Sequence, residues 1–266
     1  MARILIPLPA RDFDPTEAAI PWRVLTQAGH SVRFATPDGR LAEADPRVRF
    51  GTGFGPWKPL LMADATARDA YDAMAASDAF RAPRTYADAD FDDCDGLLFP
   101  GGHAPGMRPY LESTLLQQLA SDAFARDLPV GAICHGVLVL ARARREDGRP
   151  LLHGRRSTAL LALQELGAWA LTAVWLGSYY RTYAQTVQAE VTSVLARPQD
   201  FVRGPLPLLR DSPTHLQRGF ALRDGNYVSA RWPGDAHSFA QAFLAMLDAN
   251  AAKIASTPSG NPNDAA

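Results

Sequence analysis

The chain has 266 residues, of which 47% are hydrophobic and 21% charged, enough to bury one large core or a core with a small subdomain. Its formal net charge of −1, with scattered arginines, gives no reason to expect nucleic acid or an anionic membrane as a partner. The two cysteines, Cys94 and Cys134, are too few for a disulfide framework and have no neighbours at metal-ligand spacing, which favours a reducing cytoplasm and no metal site. The first residues contain no long apolar run before Pro7 and Pro9, so we expect neither a signal peptide nor a membrane span.

The first elements follow a strand–helix–strand order. Residues Arg3–Pro7 are predicted to form a short buried strand, and Asp14 begins a helix that ends near Ala28. Residues Ser31–Thr36 are predicted to form the second strand. Glu17 lies in the first turn of the helix, at the edge where parallel strands bring their carboxyl ends together. It is either a residue that complements the helix dipole or part of a functional site.

The middle of the chain interrupts this rhythm. Residues 40–90 contain a Gly/Pro-rich loop and an Ala-rich helix predicted over 64–77, and we interpret them as a small inserted cap over one end of the sheet. Residues 95–100 are predicted to form the next strand, which ends in Gly101-Gly102, and a helix predicted over 113–126 follows. Two adjacent glycines after a strand permit a tight turn that exposes backbone N–H groups.

Cys134 lies where an apolar run of strand length meets a small-residue turn and passes into an apolar helix. This is the pattern of a nucleophile elbow, which presents a side chain at the carboxyl end of a sheet. The electropositive helix start is expected to lower the pKa of the thiol. A buried structural cysteine is the alternative. Consecutive parallel strands place the Gly101-Gly102 turn beside Cys134, so these N–H groups are candidates for an oxyanion hole.

The remaining elements follow from the same signals. They are a short strand over 151–158, a helix through Glu165 to about Leu171, a polar helix over 186–195, a hairpin over 220–231 and a final helix over 237–250. Alternating strands and helices predict an α/β fold with a doubly wound, mostly parallel, flavodoxin-like sheet between helix layers. We expect one domain over 1–250, with an extra segment at about 172–215, and a disordered tail over 251–266.

A cluster of tyrosines with an arginine occupies residues 179–183. Tyrosine and arginine are enriched both in ligand pockets and in protein interfaces, so the cluster has two interpretations. In the first, Tyr180 and Arg181 bind substrate, with the guanidinium receiving a carboxylate. In the second, the cluster contacts another subunit.

Three stretches together carry a resemblance to a known family: Phe99-Pro-Gly-Gly-His-Ala104, Ala132-Ile-Cys-His-Gly136, and Glu17 in the first helix. In order and spacing they resemble the ThiJ/PfpI superfamily, which has the class I glutamine amidotransferase-like fold, and within it the larger heat-shock and glyoxalase III-like branch. The chain differs from many glyoxalase III relatives in having Ala104 followed by Pro105 in place of a glycine, which alters the loop over the pocket. It also lacks a carboxylate next to His237 of the kind that glutamine amidotransferases use.

The resemblance implies roles for individual residues. Cys134 is similar to the family nucleophile, His135 to its partner at the elbow and Glu17 to the carboxyl that contacts the thiol. Glu165 resembles in spacing the acidic residue that completes a Cys-His-acid triad; a solvated glutamate on an amphipathic helix is the alternative. The amides of Gly102 and His135 are expected to form the oxyanion hole. Together with the two tyrosine-cluster residues named above, Gly101 and His103 are expected to contact substrate.

The resemblance also implies an activity. We expect a cofactor-free cysteine enzyme that converts a 2-oxoaldehyde into a 2-hydroxy acid, or a related hydrolase, lyase or deglycase, acting on a small carbonyl compound. The expected assembly is a cytoplasmic homodimer. One alternative is a holdase chaperone or an oxidation-sensing stress protein without turnover, and another is an isonitrile hydratase or an amidase-type hydrolase. No dinucleotide or phosphate-binding fingerprint indicates a cofactor.

Overall fold

A computed structural model describes residues 1–89 and 94–256, and it describes side chains up to residue 253. Within these residues, the predicted α/β class is confirmed by a seven-stranded, mostly parallel sheet with flanking helices. The strands in chain order are β1 (Arg3–Pro7), β2 (Arg11–Phe13), β3 (Ser31–Thr36), β4 (Glu43–Ala44), β5 (Arg84–Thr85), β6 (Gly96–Phe99), β7 (Val130–Ile133), β8 (Ala221–Asp224) and β9 (Tyr227–Ala230).

Most of the helices begin at a side-chain cap or at a proline. In chain order the helices are α1 (Pro15–Gln27), α2 (Pro46–Phe50), α3 (Lys58–Leu61), α4 (Ala65–Ala76), α5 (Asp78–Arg81), α6 (Arg108–Leu111), α7 (Thr114–Ala125), α8 (Val137–Arg142), α9 (Ala162–Leu176), α10 (Val187–Val194) and α11 (Ala236–Ser256). At the start of α1, for example, the Asp14 carboxylate accepts hydrogen bonds from the backbone N–H groups of Thr16 at 2.7 Å and Glu17 at 3.2 Å. Helices α8 and α9 have neither a side-chain cap nor a proline at their start.

The strand order of the main sheet is β5-β3-β1-β6-β7-β9-β8. Neighbouring strands are parallel, except that β8 returns antiparallel to β9 in the predicted hairpin. Strands β6 and β7 pair directly, with Phe99 opposite Ala132. The turns that follow these two strands therefore meet at the same edge of the sheet, as the sequence predicts.

Helix α11 packs closely on the centre of the sheet because β7 contains Gly131. A Cβ atom at this position would lie 2.9 Å from Cδ2 of Phe243 and 3.0 Å from Cζ of Phe239. Both phenylalanines belong to α11 and are fully buried. Any side chain at Gly131 would push this helix away from β7, so the glycine sets the distance between them.

The structure differs from the prediction in four places. Residues 151–158 do not form a strand, because hydrogen bonds from His153 N to Pro150 O and from Arg155 N to Leu152 O fold them into turns. Helix α9 continues to Leu176, and α11 continues to Ser256; the predicted tail beyond it lies outside the described residues. The insertion also contributes β5, the edge strand beside β3.

Two further properties concern the part of the chain that the structure describes. None of its helices combines the length and the apolar composition needed to cross a membrane. Nor does it contain a group of three or more His, Cys, Asp or Glu side chains placed to hold a metal ion.

Candidate active site

Strand β7 ends at a sharp turn that carries Cys134. This residue has φ = +57°, a left-handed conformation that non-glycine residues rarely adopt, and it begins a short 3₁₀ turn that leads into α8. Gly136 allows the turn to approach β6, because a Cβ atom there would lie 2.3 Å from the carbonyl oxygen of Phe99. The predicted elbow is therefore present, and strained backbone holds the thiol in place.

Glu17 reaches the elbow from the first turn of α1. Its carboxyl group is fully buried and contacts the Cys134 thiol. Oε2 accepts a hydrogen bond from Gly101 N at 2.8 Å, whereas Oε1 has no oxygen or nitrogen partner among the described residues. A helix-capping role does not account for these contacts, since Asp14 already caps α1.

The Cys134–Glu17 pair is buried and lies near a second carboxylate, that of Asp14. Burial raises the pKa of Glu17 well above its usual range, and the nearby Asp14 carboxylate raises it further. Burial also raises the pKa of the Cys134 thiol, and the Glu17 and Asp14 carboxylates raise it further. The backbone N–H of His135 donates to the sulfur and lowers this pKa, but its effect is smaller. The expectation that the helix start lowers the thiol pKa is therefore wrong, because burial outweighs it. Since two anions in contact repel, the pair retains a proton.

Asp14 is a site residue that the sequence analysis treats only as a helix cap. It lines the same cavity as Cys134, and burial raises its pKa to about 6, although the positive charge of Arg210 lowers it. Its negative charge at neutral pH keeps the proton on Glu17.

The predicted oxyanion hole has two candidate donors. Gly102 lines the cavity beside Cys134, and its N–H has no acceptor within the described residues. The His135 N–H points at the Cys134 sulfur. Gly101, which was expected to contact substrate, instead lies beneath the site: its N–H is taken by Glu17, and its carbonyl accepts from Asp14 N at 2.9 Å. That expectation is corrected, since Gly101 positions the carboxyl groups.

His135 is fully buried, and both of its ring nitrogens have partners. Nδ1 lies 3.4 Å from Sγ of Cys134, and Nε2 lies 3.1 Å from Oγ1 of Thr182. The Thr182 hydroxyl donates to the carbonyl oxygen of His103 at 2.5 Å, so it accepts from Nε2–H of His135. This leaves Nδ1 as an acceptor facing the thiol. Burial lowers the pKa of His135 to about 3, so the ring is neutral.

The triad with Glu165 is not formed, and this expectation is corrected. Oε2 of Glu165 accepts from Val187 N at 2.9 Å, at the start of α10, and Oε1 pairs with Nε of Arg181 at 3.6 Å. The orienting partner of His135 is Thr182. Arg181 is likewise not on the cavity wall: its guanidinium is held by Glu165 and by the carbonyl oxygens of residues 183 and 184. The expectation that it binds substrate is therefore also wrong.

A cavity of about 280 Å³ lies over Cys134. His103 and Tyr180 lie on its wall as expected, with their rings stacked at a centroid distance of 4.1 Å. The insertion contributes Val48, Leu60 and Leu61, so residues 40–90 do cover the site. Most of the remaining wall comes from α9 and from residues 207–210, and it is largely apolar.

Sequence reasoning missed several residues that the structure brings to the site. Thr182 lies inside the tyrosine cluster and gave no signal of its own. Arg210 and Trp232 lie on the cavity wall but come from a Pro-rich connection and from the end of the hairpin. No local pattern marks either as a site residue, because their position depends on long-range packing.

Comparisons with known proteins identify the family of the chain. The chain matches the family model described as ThiJ/PfpI family-like over residues 8–205. An uncharacterized protein of Schizosaccharomyces pombe is 30% identical over 141 residues, which are 52% of this chain and 50% of that protein. A deglycase of Thermococcus kodakarensis is 24% identical over 162 residues, 61% of this chain and 68% of that protein. The chain thus spans about half the length of the S. pombe relative.

Solved structures share the architecture. The crystal structure of glyoxalase III from Candida albicans superposes with a TM-score of 0.66 at 18% sequence identity, covering 92% of this chain and 97% of that chain. At this level of identity, the likeness establishes the common fold.

Proposed function

Because the chain belongs to the ThiJ/PfpI family, we propose that it is a cofactor-independent cysteine enzyme that converts a 2-oxoaldehyde into a 2-hydroxy acid. The contact between Cys134 and a buried Glu17 at the bottom of a cavity carries the proposal. A nucleophile paired with a protonated carboxyl group is suited to adding a thiol to a carbonyl and then moving protons. A reactive thiol also fits the reducing cytoplasm expected from the sequence.

The first step forms the carbon–sulfur bond. Nδ1 of His135 accepts the thiol proton as the sulfur attacks the aldehyde carbon. The carboxyl proton of Glu17 passes to the carbonyl oxygen, which gives a hemithioacetal and a carboxylate. The N–H groups of Gly102 and His135 are the donors available to the oxygen as charge develops on it.

The second step moves hydrogen between the two substrate carbons. The Glu17 carboxylate removes the proton from the carbon bonded to sulfur and returns it to the adjacent carbon, while the hydroxyl proton moves to the neighbouring oxygen, which leaves a thioester on Cys134. Water then hydrolyses the thioester: Glu17 takes a proton from the water, His135 returns its proton to the sulfur, and the 2-hydroxy acid leaves as its carboxylate. The sum is one 2-oxoaldehyde and one water for one 2-hydroxy acid, with no external oxidant or reductant.

The test is turnover of phenylglyoxal to mandelate without added cofactor. We expect Cys134→Ala to abolish mandelate formation while its melting temperature stays within a few degrees of the wild type, because the change removes little buried volume. Cys94→Ala is the matched control and should keep full activity. The thiol of Cys94 donates to the carbonyl oxygen of Gly96 at 2.8 Å, at the opposite end of the strand from the site. Turnover in Cys134→Ala would overturn the proposal, and loss of folding would indicate a structural cysteine.

A holdase chaperone is a second candidate, favoured by exposed apolar side chains on α9 and on residues 206–208. Leu163 and Val174 of α9 are 68% and 93% exposed, and Leu206 and Leu208 are 70% and 78% exposed. Such a surface suits non-native chains. Suppression of citrate synthase aggregation by both the wild type and Cys134→Ala, without phenylglyoxal turnover by either, would select this function.

A further inference from the structure

The wall of the cavity carries buried polar atoms that the protein leaves unpaired. Among the described residues, five that line this cavity carry a buried side-chain atom without a hydrogen-bond partner: Oε1 of Glu17, Nε2 of His103, Oε1 of Gln164, Nη1 of Arg210 and Nε1 of Trp232. Of these five residues, the mechanism above uses only Glu17. Buried polar groups are normally satisfied, so several unpaired ones on the residues that line one cavity point to a ligand with matching polar groups.

Arg210 is the most informative member of this cluster. Its Nη2 donates to the carbonyl oxygens of Leu60 at 3.0 Å and Met62 at 3.2 Å, which fixes the guanidinium against the inserted segment. The other terminal nitrogen, Nη1, is buried and unpaired. Within the described part of the chain, no carboxylate lies within 4.0 Å of this guanidinium. Arg210 is thus a positioned positive charge without a counter-ion in contact.

Trp232 adds a second donor beside Arg210. The guanidinium carbon lies 5.6 Å from the centroid of the Trp232 ring, so the two side chains form one patch. Nε1 of Trp232 is also buried and has no acceptor among the described residues. A carboxylate offers two acceptor oxygens, one for each of these N–H donors, and the charge of the guanidinium strengthens its hydrogen bond.

The other charged groups on the cavity wall favour a monoanion. Glu17 keeps its proton, and Glu165 is paired with Arg181. Asp14 is the remaining carboxylate, and with a pKa of about 6 it carries a negative charge at neutral pH. Arg210 is the one cation among the described residues that line the cavity, so a monoanion balances its charge, whereas a dianion such as a phosphate monoester would leave a negative charge unbalanced near Asp14. Leucines 60, 163 and 208 face the same cavity and suit an apolar chain.

From these contacts, we propose that the substrate is a 2-oxoaldehyde whose far end carries a carboxylate, joined to the carbonyl by an apolar chain, and that Arg210 and Trp232 bind this carboxylate. The carbonyl end of this assignment rests on the proposed function. Recognition of the carboxylate does not require turnover. Arg210 then determines specificity, because it distinguishes a charged chain end from a neutral one of the same length.

The experiment compares linear 2-oxoaldehydes that end in a carboxylate with their methyl esters, over a series of chain lengths. For the length that fits, we expect kcat/KM for the carboxylate to exceed that for the ester by roughly tenfold or more, as for a charge-assisted hydrogen-bonded pair. Arg210→Met should bring this ratio close to one, chiefly by raising KM for the carboxylate. Arg203→Met, which removes an exposed arginine of the same segment, should keep the wild-type ratio.

A second measurement separates this inference from the proposed function. By titration calorimetry, hexanoate should bind the wild-type protein more tightly than hexanol, and Arg210→Met should lose the difference. Trp232→Phe keeps the ring and removes the donor, so it should lower the preference several-fold and serves if Arg210→Met does not fold. Arg210-dependent hexanoate binding without any 2-oxoaldehyde turnover would refute only the proposed function. Turnover without a carboxylate preference at any chain length would refute only the carboxylate site.

Discussion

The bottom of the cavity and its wall are built in different ways. The bottom consists of the carboxyl ends of β6 and β7 with the start of α1, joined by hydrogen bonds from Gly101 N to Glu17 and from Asp14 N to Gly101 O. The wall comes mainly from α9, from the insertion and from an irregular segment that Arg210 connects to the carbonyl oxygens of Leu60 and Met62. The reacting groups are therefore held by the ends of paired strands and the start of α1. The substrate-facing groups are held by α9 and by contacts between irregular segments.

This difference separates two kinds of effect. The hydrogen bonds between the start of α1 and Gly101, at the end of β6, hold Glu17 beside Cys134, so a substitution there should change the rate of the chemical steps. The wall residues contact parts of a substrate that do not react, so a substitution there should change which substrate is accepted. Effects on kcat are therefore expected only at the bottom of the cavity and at residues that touch its reacting groups.

The largest expected effect in this set belongs to Glu17→Gln. The amide can still accept from Gly101 N and donate to the sulfur, so alkylation of Cys134 should persist. Turnover should fall by roughly a hundredfold or more, because the amide cannot transfer a proton. Turnover and the pH dependence of the alkylation rate, measured together, test this. Glu43→Gln, at an exposed glutamate outside the cavity, is the control. Full turnover in Glu17→Gln would reduce Glu17 to a structural residue.

We also expect Glu17→Gln to change the pH dependence of the free energy of unfolding. The folded-state pKa of Glu17 lies well above its usual value, so the folded protein holds a proton that the unfolded chain has already released. This contribution to stability is complete below the unfolded-state pKa and is lost as pH rises through the folded-state pKa. The free energy of unfolding of Glu17→Gln should therefore decline less with rising pH than that of the wild type.

Thr182→Val should have the next largest effect. Valine cannot accept from Nε2–H of His135, so the ring loses the partner that keeps Nδ1 as an acceptor toward the thiol. We expect kcat to fall by roughly tenfold with little change in KM, since the general-base role is weakened rather than removed. Thr182→Ser restores the hydroxyl and should rescue kcat, which a purely steric role would not require. Failure of the serine to rescue would assign Thr182 to packing alone.

The bottom of the cavity could be predicted from the sequence because its signals are local. An apolar run followed by a small-residue turn marks the Cys134 elbow, and Asp14 before Pro15 marks the start of α1. Chain order alone makes β6 and β7 neighbours, since consecutive strands of a parallel sheet usually lie together. Local pattern and one topological rule thus placed Glu17, the glycine pair and the cysteine at one edge.

The wall could not be predicted in this way. Arg210 lies on an irregular segment, and contacts with the insertion determine the path of that segment. The sequence of the segment contains no periodic signal from which these contacts could be predicted. Glu165 was assigned to the triad by spacing along the chain, but α9 directs it to the start of α10 and to Arg181. Spacing fixes a position on a helix, whereas the neighbour of a side chain depends on how the helix packs.

Glu165→Gln gives the smallest expected effect and tests that last distinction. Glutamine keeps an oxygen for Val187 N, so α10 retains its cap, while the charge that pairs with Arg181 is lost. We expect a stability loss of about 1 kcal/mol, seen as a fall of a few degrees in melting temperature, because the pair is largely buried. With phenylglyoxal, which has no charged chain end, kcat should change by less than roughly threefold, since nothing in the geometry links Glu165 to His135. An acidic triad member instead supports the charge of its histidine, so its amide variant would lose kcat by orders of magnitude at unchanged stability. That result would mean that α9 moves Glu165 to His135 during turnover, and effects on kcat would then extend from the bottom of the cavity into its wall.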